Sequence, residues 1–262
     1  MIHLLLPTDF SGNAVNAAIY GMQLFSNQKV SITLLHVYRP EDEENCEFSE
    51  EFDLLKKELQ KYGVSEEDIV CVCEKGELTH CIDRITNKTP VDFIVMGTKG
   101  TNPNTIFIGS NTSNTIQSTL LPVIVVPKEA KYSQINKIAF AADFKKISSS
   151  EILAPMVQIA KKFNSEILIL NVFEDAVPLD YEKNKEATIL NELFDEVKHS
   201  YHFIINPDIN EAIEMFITLN QVDLVVMISR TSSFMQYVFN ESHTKRTVET
   251  TEFPLLIMHD SA

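Results

Sequence analysis

Apolar residues in this chain are grouped in two alternating ways. Short continuous runs of Val, Ile and Leu alternate with longer stretches in which apolar residues recur every three or four positions. The first kind predicts strands buried on both faces, and the second predicts helices with one buried side. Ile2 to Pro7 reads as a strand, and Ser11 as the N-cap of a helix running to about Phe25. The buried face of that helix is expected to be Val15, Ala18, Ile19, Met22 and Phe25. A second strand at Val30 to Val37 is followed by a helix from Phe48 to Tyr62, closed by Gly63. Ile69 to Cys73 is a third strand, Glu77 to Asn87 a helix, and Val91 to Met96 a fourth strand. After Gly97-Thr98-Lys99-Gly100 comes an irregular segment from Thr101 to Ile108, then Gly109-Ser110, a polar helix from Asn111 to Thr119 and a fifth strand, Pro122 to Val126. Such alternation predicts an α/β domain, a parallel sheet with helices on both faces.

The order then repeats. Lys137 to Phe144 echoes Leu4 to Phe10, with Asp143 in the place of Asp9. Ile152 to Phe163 repeats the first helix, and Glu166 to Val172 the second strand, with Asn171 where His36 stood. A long helix is expected over Lys183 to Lys198, a third strand over Tyr201 to Ile205, and a helix to Asn220 capped by Asp208 with Glu211. Val222-Asp223-Leu224-Val225-Val226-Met227 matches Val91-Asp92-Phe93-Ile94-Val95-Met96 nearly residue for residue, and Pro254 to Met258 matches the final strand. The chain therefore reads as a tandem duplication, with domains at 1–128 and 136–262 joined by a polar linker at 129–135.

Charge narrows the partners. The 37 acidic against 22 basic residues give a formal charge of −15, which repels nucleic acid and anionic membranes. The opening residues lack a basic signal region, and no apolar run reaches membrane-spanning length, so a soluble cytoplasmic protein is expected. Cys46, Cys71, Cys73 and Cys81 form no C-x-x-C pair and read as reduced thiols. His199 and His202 have no further metal ligands near them in sequence. Arg230, His243, Lys245 and Arg246 read as charges on an exposed helix start. No G-x-S-x-G elbow, Walker loop or G-x-G-x-x-G is present, so no catalytic residue is named.

The candidate chemistry lies between the fourth and fifth strands of the first half. Glycines at a strand exit allow a sharp turn and close approach to a ligand. Gly109-Ser110 opens a helix whose free N–H groups and positive dipole end favour a phosphate. In the second half Ile228-Ser229-Arg230-Thr231 and Glu241-Ser242 stand at the corresponding positions, so three of these glycines are lost and an acid is added. The second half is not expected to cradle a phosphate in this way.

Taken together, Pro7-Thr8-Asp9-Phe10-Ser11, Leu35-His36-Val37, the glycine series and Pro122 to Pro127 resemble tandem universal stress proteins of the UspA type. Gly97, Gly100, Gly109 and Ser110 fill the fixed positions of that family's G-x2-G-x9-G-[ST] signature. Only eight residues, Thr101 to Ile108, separate the second and third glycines. The resemblance implies two doubly wound domains of the Rossmann-like, adenine nucleotide alpha hydrolase-like class, each with a five-stranded parallel sheet in the order 3-2-1-4-5. It implies ATP or a related adenine nucleotide as ligand, with Mg2+ as its companion. Asp9, beside Pro7 and Thr8, would meet the ribose or adenine end, and the Val37 backbone would recognise the base. Met96, Gly97 and Gly100 would line the pyrophosphate path, Gly109, Ser110, Asn111 and Thr112 would hold the phosphates, and Lys99 would supply a cation. The two halves would pair through the Pro122 and Pro254 strands as an intrachain pseudo-dimer, open to further homodimerisation, and the second would contact a protein partner. The implied role is a non-enzymatic stress-response module. Its rivals are a ligand-free scaffold and a slow ATPase switch assisted by Asp9 or Lys99.

Overall fold

The computed structural model describes residues 1–38, 48–98, 110–142, 149–175, 188–229 and 253–260. They fall into two compact units, Met1–Tyr132 and the residues from Ser133 onward. The first unit runs β1 (Ile2–Pro7), α1 (Gly12–Leu24), β2 (Val30–Tyr38), α2 (Ser49–Gln60), β3 (Ile69–Lys75), α3 (Leu78–Thr86), β4 (Phe93–Gly97), α4 (Ser110–Ser118) and β5 (Val123–Val126). Its strands lie in the order β3-β2-β1-β4-β5, all parallel. The second unit has β6 (Lys137–Ala141), α5 (Ala154–Phe163), β7 (Glu166–Phe173), β8 (His199–Ile205), α6 (Ile209–Asn220), β9 (Leu224–Ser229) and β10 (Leu255–His259). Its order is β8-β7-β6-β9-β10, again parallel. Each order reverses direction between the first and fourth strands of its unit, where a doubly wound sheet opens a crevice at its carboxyl end.

The continuous apolar runs occupy the sheet centres. Leu4 to Leu6, Phe93 to Met96 and Val123 to Val126 are buried, as are Ile138 to Phe140 and Leu224 to Met227 in the second unit. The edge strands β3 and β8 keep exposed positions. One device is repeated at the amino ends. Asp92, just before β4, accepts from the His3 N–H at 2.7 Å while its own N–H donates to the His3 carbonyl at 2.9 Å. Asp223, just before β9, accepts from the Lys137 N–H at 3.0 Å and donates its N–H to the Lys137 carbonyl at the same distance. The matched Val-Asp of the two sequence repeats thus fastens equivalent strands in the same way.

Four expectations change. The buried residues of α1 are Ala17, Ala18, Tyr20, Gly21, Met22 and Leu24, whereas Val15 and Ile19 are half-buried. Small residues bring this helix close to the sheet, and a Cβ on Gly21 would stand 3.2 Å from a Val95 methyl. The repeat of that helix begins as a 3-10 turn, Ser150–Leu153, and becomes α-helical only at Ala154. Pro155 explains this, because proline has no N–H to give and is tolerated in the first helical turn alone. The long helix expected to Lys198 is helical over 188–193 and gives way to turns at 194–197, its start lying outside the described residues. As a result, His199 and His202 both sit inside β8. The Asp208 cap forms, accepting from Glu211 N–H at 3.1 Å, but the Asp208 N–H goes to Asn206 at 2.8 Å rather than to Glu211.

Candidate functional site

At the end of β1 the chain makes a turn tied by its own side chains. Pro7 and Thr8 are buried and Asp9 is exposed. The Asp9 carboxylate accepts from Ser11 N–H at 3.0 Å, and the Thr8 hydroxyl accepts from Phe10 N–H at 2.9 Å. Phe10 adopts a positive φ of 58° between them. Ser11 then caps α1, its hydroxyl accepting from Ala14 N–H at 3.3 Å. His36 fastens this turn to β2, with Nδ1 2.8 Å from the Thr8 carbonyl. A carbonyl can only accept, so Nδ1 carries the proton. In the second unit Asn171 makes the matching bond, Nδ2 donating to the Ala142 carbonyl at 2.6 Å. Pro7 pairs with Leu35, so His36, Val37 and Tyr38 extend past the end of β1 while still pairing with β3.

Across the switch point, β4 ends at Gly97 between buried Met96 and buried Thr98. Helix α4 starts at Ser110, with Ser110 and Asn111 exposed and Thr112 buried. The Thr112 hydroxyl donates to the Gly97 carbonyl at 3.0 Å, so its proton is committed and it serves by holding α4 to the strand exit. Gly97 also faces the first turn of α1. A Cβ there would stand 2.8 Å from the Asn13 amide. The Asn13 oxygen is buried and has no hydrogen-bond partner among the described residues. Asn13 was not singled out in sequence reading, because an Asn in a first helical turn ordinarily faces solvent. The first turns of α1 and α4 thus both meet the end of β4, and helix N-termini in general carry N–H groups without intrahelical partners and a positive dipole end. Lys99, Gly100, Gly109 and the eight-residue segment between these glycines lie outside the described residues, as do Asp143, Arg230, Glu241, His243, Lys245 and Arg246.

Aromatic rings gather beside the β1 turn. Phe10 stacks on His36 with centroids 4.8 Å apart, Phe48 lies 4.1 Å from His36, and Phe52 meets Phe10 edge-on at 5.1 Å. Phe10 and His36 belong to the sequence motifs named above, but Phe48 and Phe52 were given no role there. The signal available was a Phe or His at each of three neighbouring element ends.

The remaining polar signals are accounted for structurally. His199 contacts Asn191 at 2.9 Å and His202 contacts Ser200 at 2.9 Å, and no cluster of three metal-ligating side chains occurs among the described residues. Cys71 and Cys73 are exposed on β3 and Cys81 is buried, and none of the three is in a disulfide. No helix among the described residues is long and apolar enough to cross a membrane.

A family comparison agrees with this geometry. Residues 1–127 match the model of the universal stress protein family. They belong to that family. No curated protein matches the chain. Among solved structures, a universal stress protein from Archaeoglobus fulgidus DSM 4304 aligns over 98% of this chain and 96% of its own, with a TM-score of 0.74 at 18% identity. A protein of unknown function from Pseudomonas aeruginosa PAO1 aligns over 98% and 92%, with a TM-score of 0.64 at 14% identity. The cytoplasmic domain of a prokaryotic cation chloride cotransporter aligns over 98% and 94%, with a TM-score of 0.57 at 11% identity. These likenesses establish the α/β universal stress protein fold across the chain. They leave the ligand to be argued from the site.

Proposed function

We propose that this universal stress protein is a non-catalytic binding module whose first unit holds ATP or a related adenine nucleotide in the crevice between the ends of β1 and β4. The observation that carries this reading is the meeting of two helix N-terminal turns, those of α1 at Asn13 and of α4 at Thr112, on one glycine-ended strand. Their N–H groups suit phosphate oxygens. Exposed Asp9 suits a ribose hydroxyl, and the Val37 backbone, running past the end of β1, suits the base. Gly100, Gly109, Ser110 and Asn111 would complete the phosphate cradle, with Lys99 and Mg2+ neutralising the polyphosphate. The second unit, lacking the glycines, is the partner-contacting copy, and the setting is the cytoplasm. Binding ATP to the native state alone must raise the melting temperature as ligand concentration rises. An upward shift with ATP, abolished by a Gly109→Val substitution, is the expected result.

One observation favours a second reading. Asn13 fills the space over Gly97, so that glycine has a packing reason apart from any ligand. In this reading the protein is a ligand-free scaffold, and the fold itself decides nothing, since a cotransporter's cytoplasmic domain shares it. A melting temperature indifferent to saturating ATP would select the scaffold. Metal-dependent ATP turnover abolished by Asp9→Asn would instead select a slow switch.

A further inference from the structure

β3 lies at the edge of the first unit's sheet and carries two thiols one residue apart. Cys71 and Cys73 are both exposed, and neither is in a disulfide. Successive side chains of a strand point to opposite faces, so Val72 points away and the two thiols share one face. It is the face that α2 covers. Cys73 pairs with His36 of β2, against which Phe48 packs just before α2 begins. Partial desolvation of the Cys71 sulfur pushes its thiol up, and the nearby Lys56 ammonium of α2 opposes this. Lys56 is itself held by Asp53 at 2.8 Å.

The spacing decides what such a pair can do. A rise of about 3.3 Å per residue sets the two Cβ atoms about 6.6 Å apart. A disulfide needs about 3.5–4.5 Å between them, so a bridge would have to break the pleat of β3. A cation held in line between two sulfurs needs them only about 4.6 Å apart, for metal–sulfur bonds of about 2.3 Å. Side chains that lean along the strand supply the difference. Linear coordination is the preference of soft monovalent d10 cations, and thiolates select Cu+ among the common metals. Tetrahedral zinc needs further ligands, and no cluster of three ligating side chains occurs among the described residues.

We propose that Cys71 and Cys73 form a surface site for a thiophilic monovalent cation of the Cu+ class, held in line between the two sulfurs. Binding forms two metal–sulfur bonds, releases one proton from each thiol to solvent and changes no oxidation state. The bis-thiolate complex carries one negative charge, which Lys56 offsets beside Cys71. The site stands whether or not the first unit binds a nucleotide.

The full chain, reduced and kept free of oxygen, is titrated with Cu+ against the chromogenic chelator bicinchoninate. Wild type and Cys46→Ser should each withhold one Cu+ per chain from the chelator, and Cys71→Ser and Cys73→Ser none. Two double variants keep the thiol count and change the geometry, with far-UV circular dichroism confirming that each is folded. Cys71→Ser with Lys75→Cys places a pair on one face again and should restore uptake. Cys73→Ser with Val72→Cys puts the thiols on opposite faces and should not. Uptake that survives the loss of either cysteine, or that requires Cys46, would overturn the site. So would a wild type that yields all its Cu+ to the chelator, a silent same-face variant, or an opposite-face variant that binds. A Cys71–Cys73 disulfide found by peptide mapping after mild oxidation would contradict the spacing on which the site rests.

Discussion

Gly97 and His36 show what single residues do at the crevice. The side chain that Gly97 lacks would collide with Asn13 at 2.8 Å. Gly97→Ala must therefore push the Asn13 amide aside, at a cost of about 1 kcal/mol. Adding Asn13→Ala should recover part of that loss, because contacting sites are not additive. Urea titration of the two single variants and the double variant measures the coupling, and strictly additive losses would contradict the contact. At the opposite wall, His36→Ala would leave the buried Thr8 carbonyl without its donor, at about 1–3 kcal/mol. His36→Asn should cost clearly less, since Asn171 makes the same bond in the second unit. Equal losses in the two variants would mean that the hydrogen bond is not what His36 contributes to stability.

At the scale of elements, the strands were legible because burial on both faces writes an uninterrupted apolar run. Ile2–Pro7 and Val30–Tyr38 lie where that pattern placed them. Helix faces were harder to read. Periodicity gave Ala18, Met22 and Phe25 correctly but also the large residues Val15 and Ile19, and it missed Gly21, which carries almost no apolar signal and lies against Val95 of β4. Pro155 was visible in the sequence, and its effect on the start of α5 could have been foreseen. Caps were readable as well. Ser11→Ala and Asp208→Ala should each cost about 1 kcal/mol by denaturant unfolding, because each removes an acceptor from a helix N-terminus. A pH effect belongs to the junction of β3 and α3, where the Arg84 guanidinium donates to Glu74, Nε standing at 3.2 Å. That hydrogen bond holds the Glu74 carboxyl below the ordinary glutamate range. A folded-state value below the unfolded one stabilises above the unfolded pKa, and the gain is lost as pH falls through the folded value. The urea midpoint of wild type should therefore exceed that of Arg84→Met near neutral pH, with the gap closing in acid. A gap independent of pH would assign the difference to packing of the Arg84 stem.

At the scale of the whole molecule, the repeat is more than a sequence echo. Asp92 and Asp223 clasp the starts of β1 and β6, and His36 and Asn171 fasten their ends, so both units fold around the same two devices. The sequence showed the first as a matched Val-Asp. It aligned Asn171 with His36 but not their common role, which shows only when both are seen donating to the same carbonyl position. Asn13 and the Phe10–His36–Phe48 cluster were hidden for a similar reason, since each joins elements that are separate in the chain. The formal charge of −15 makes DNA an unfavourable partner, and no retention on an immobilised duplex at low salt is expected. An adenine nucleotide held by the first unit should copurify with the protein. Denaturing freshly purified protein and identifying the released small molecules by mass spectrometry, beside a Gly100→Val, Gly109→Val double variant, tests it most directly. Stoichiometric adenine nucleotide from the wild type and none from the variant is the predicted result. A wild type that releases none and takes up none when ATP is added would contradict the claim.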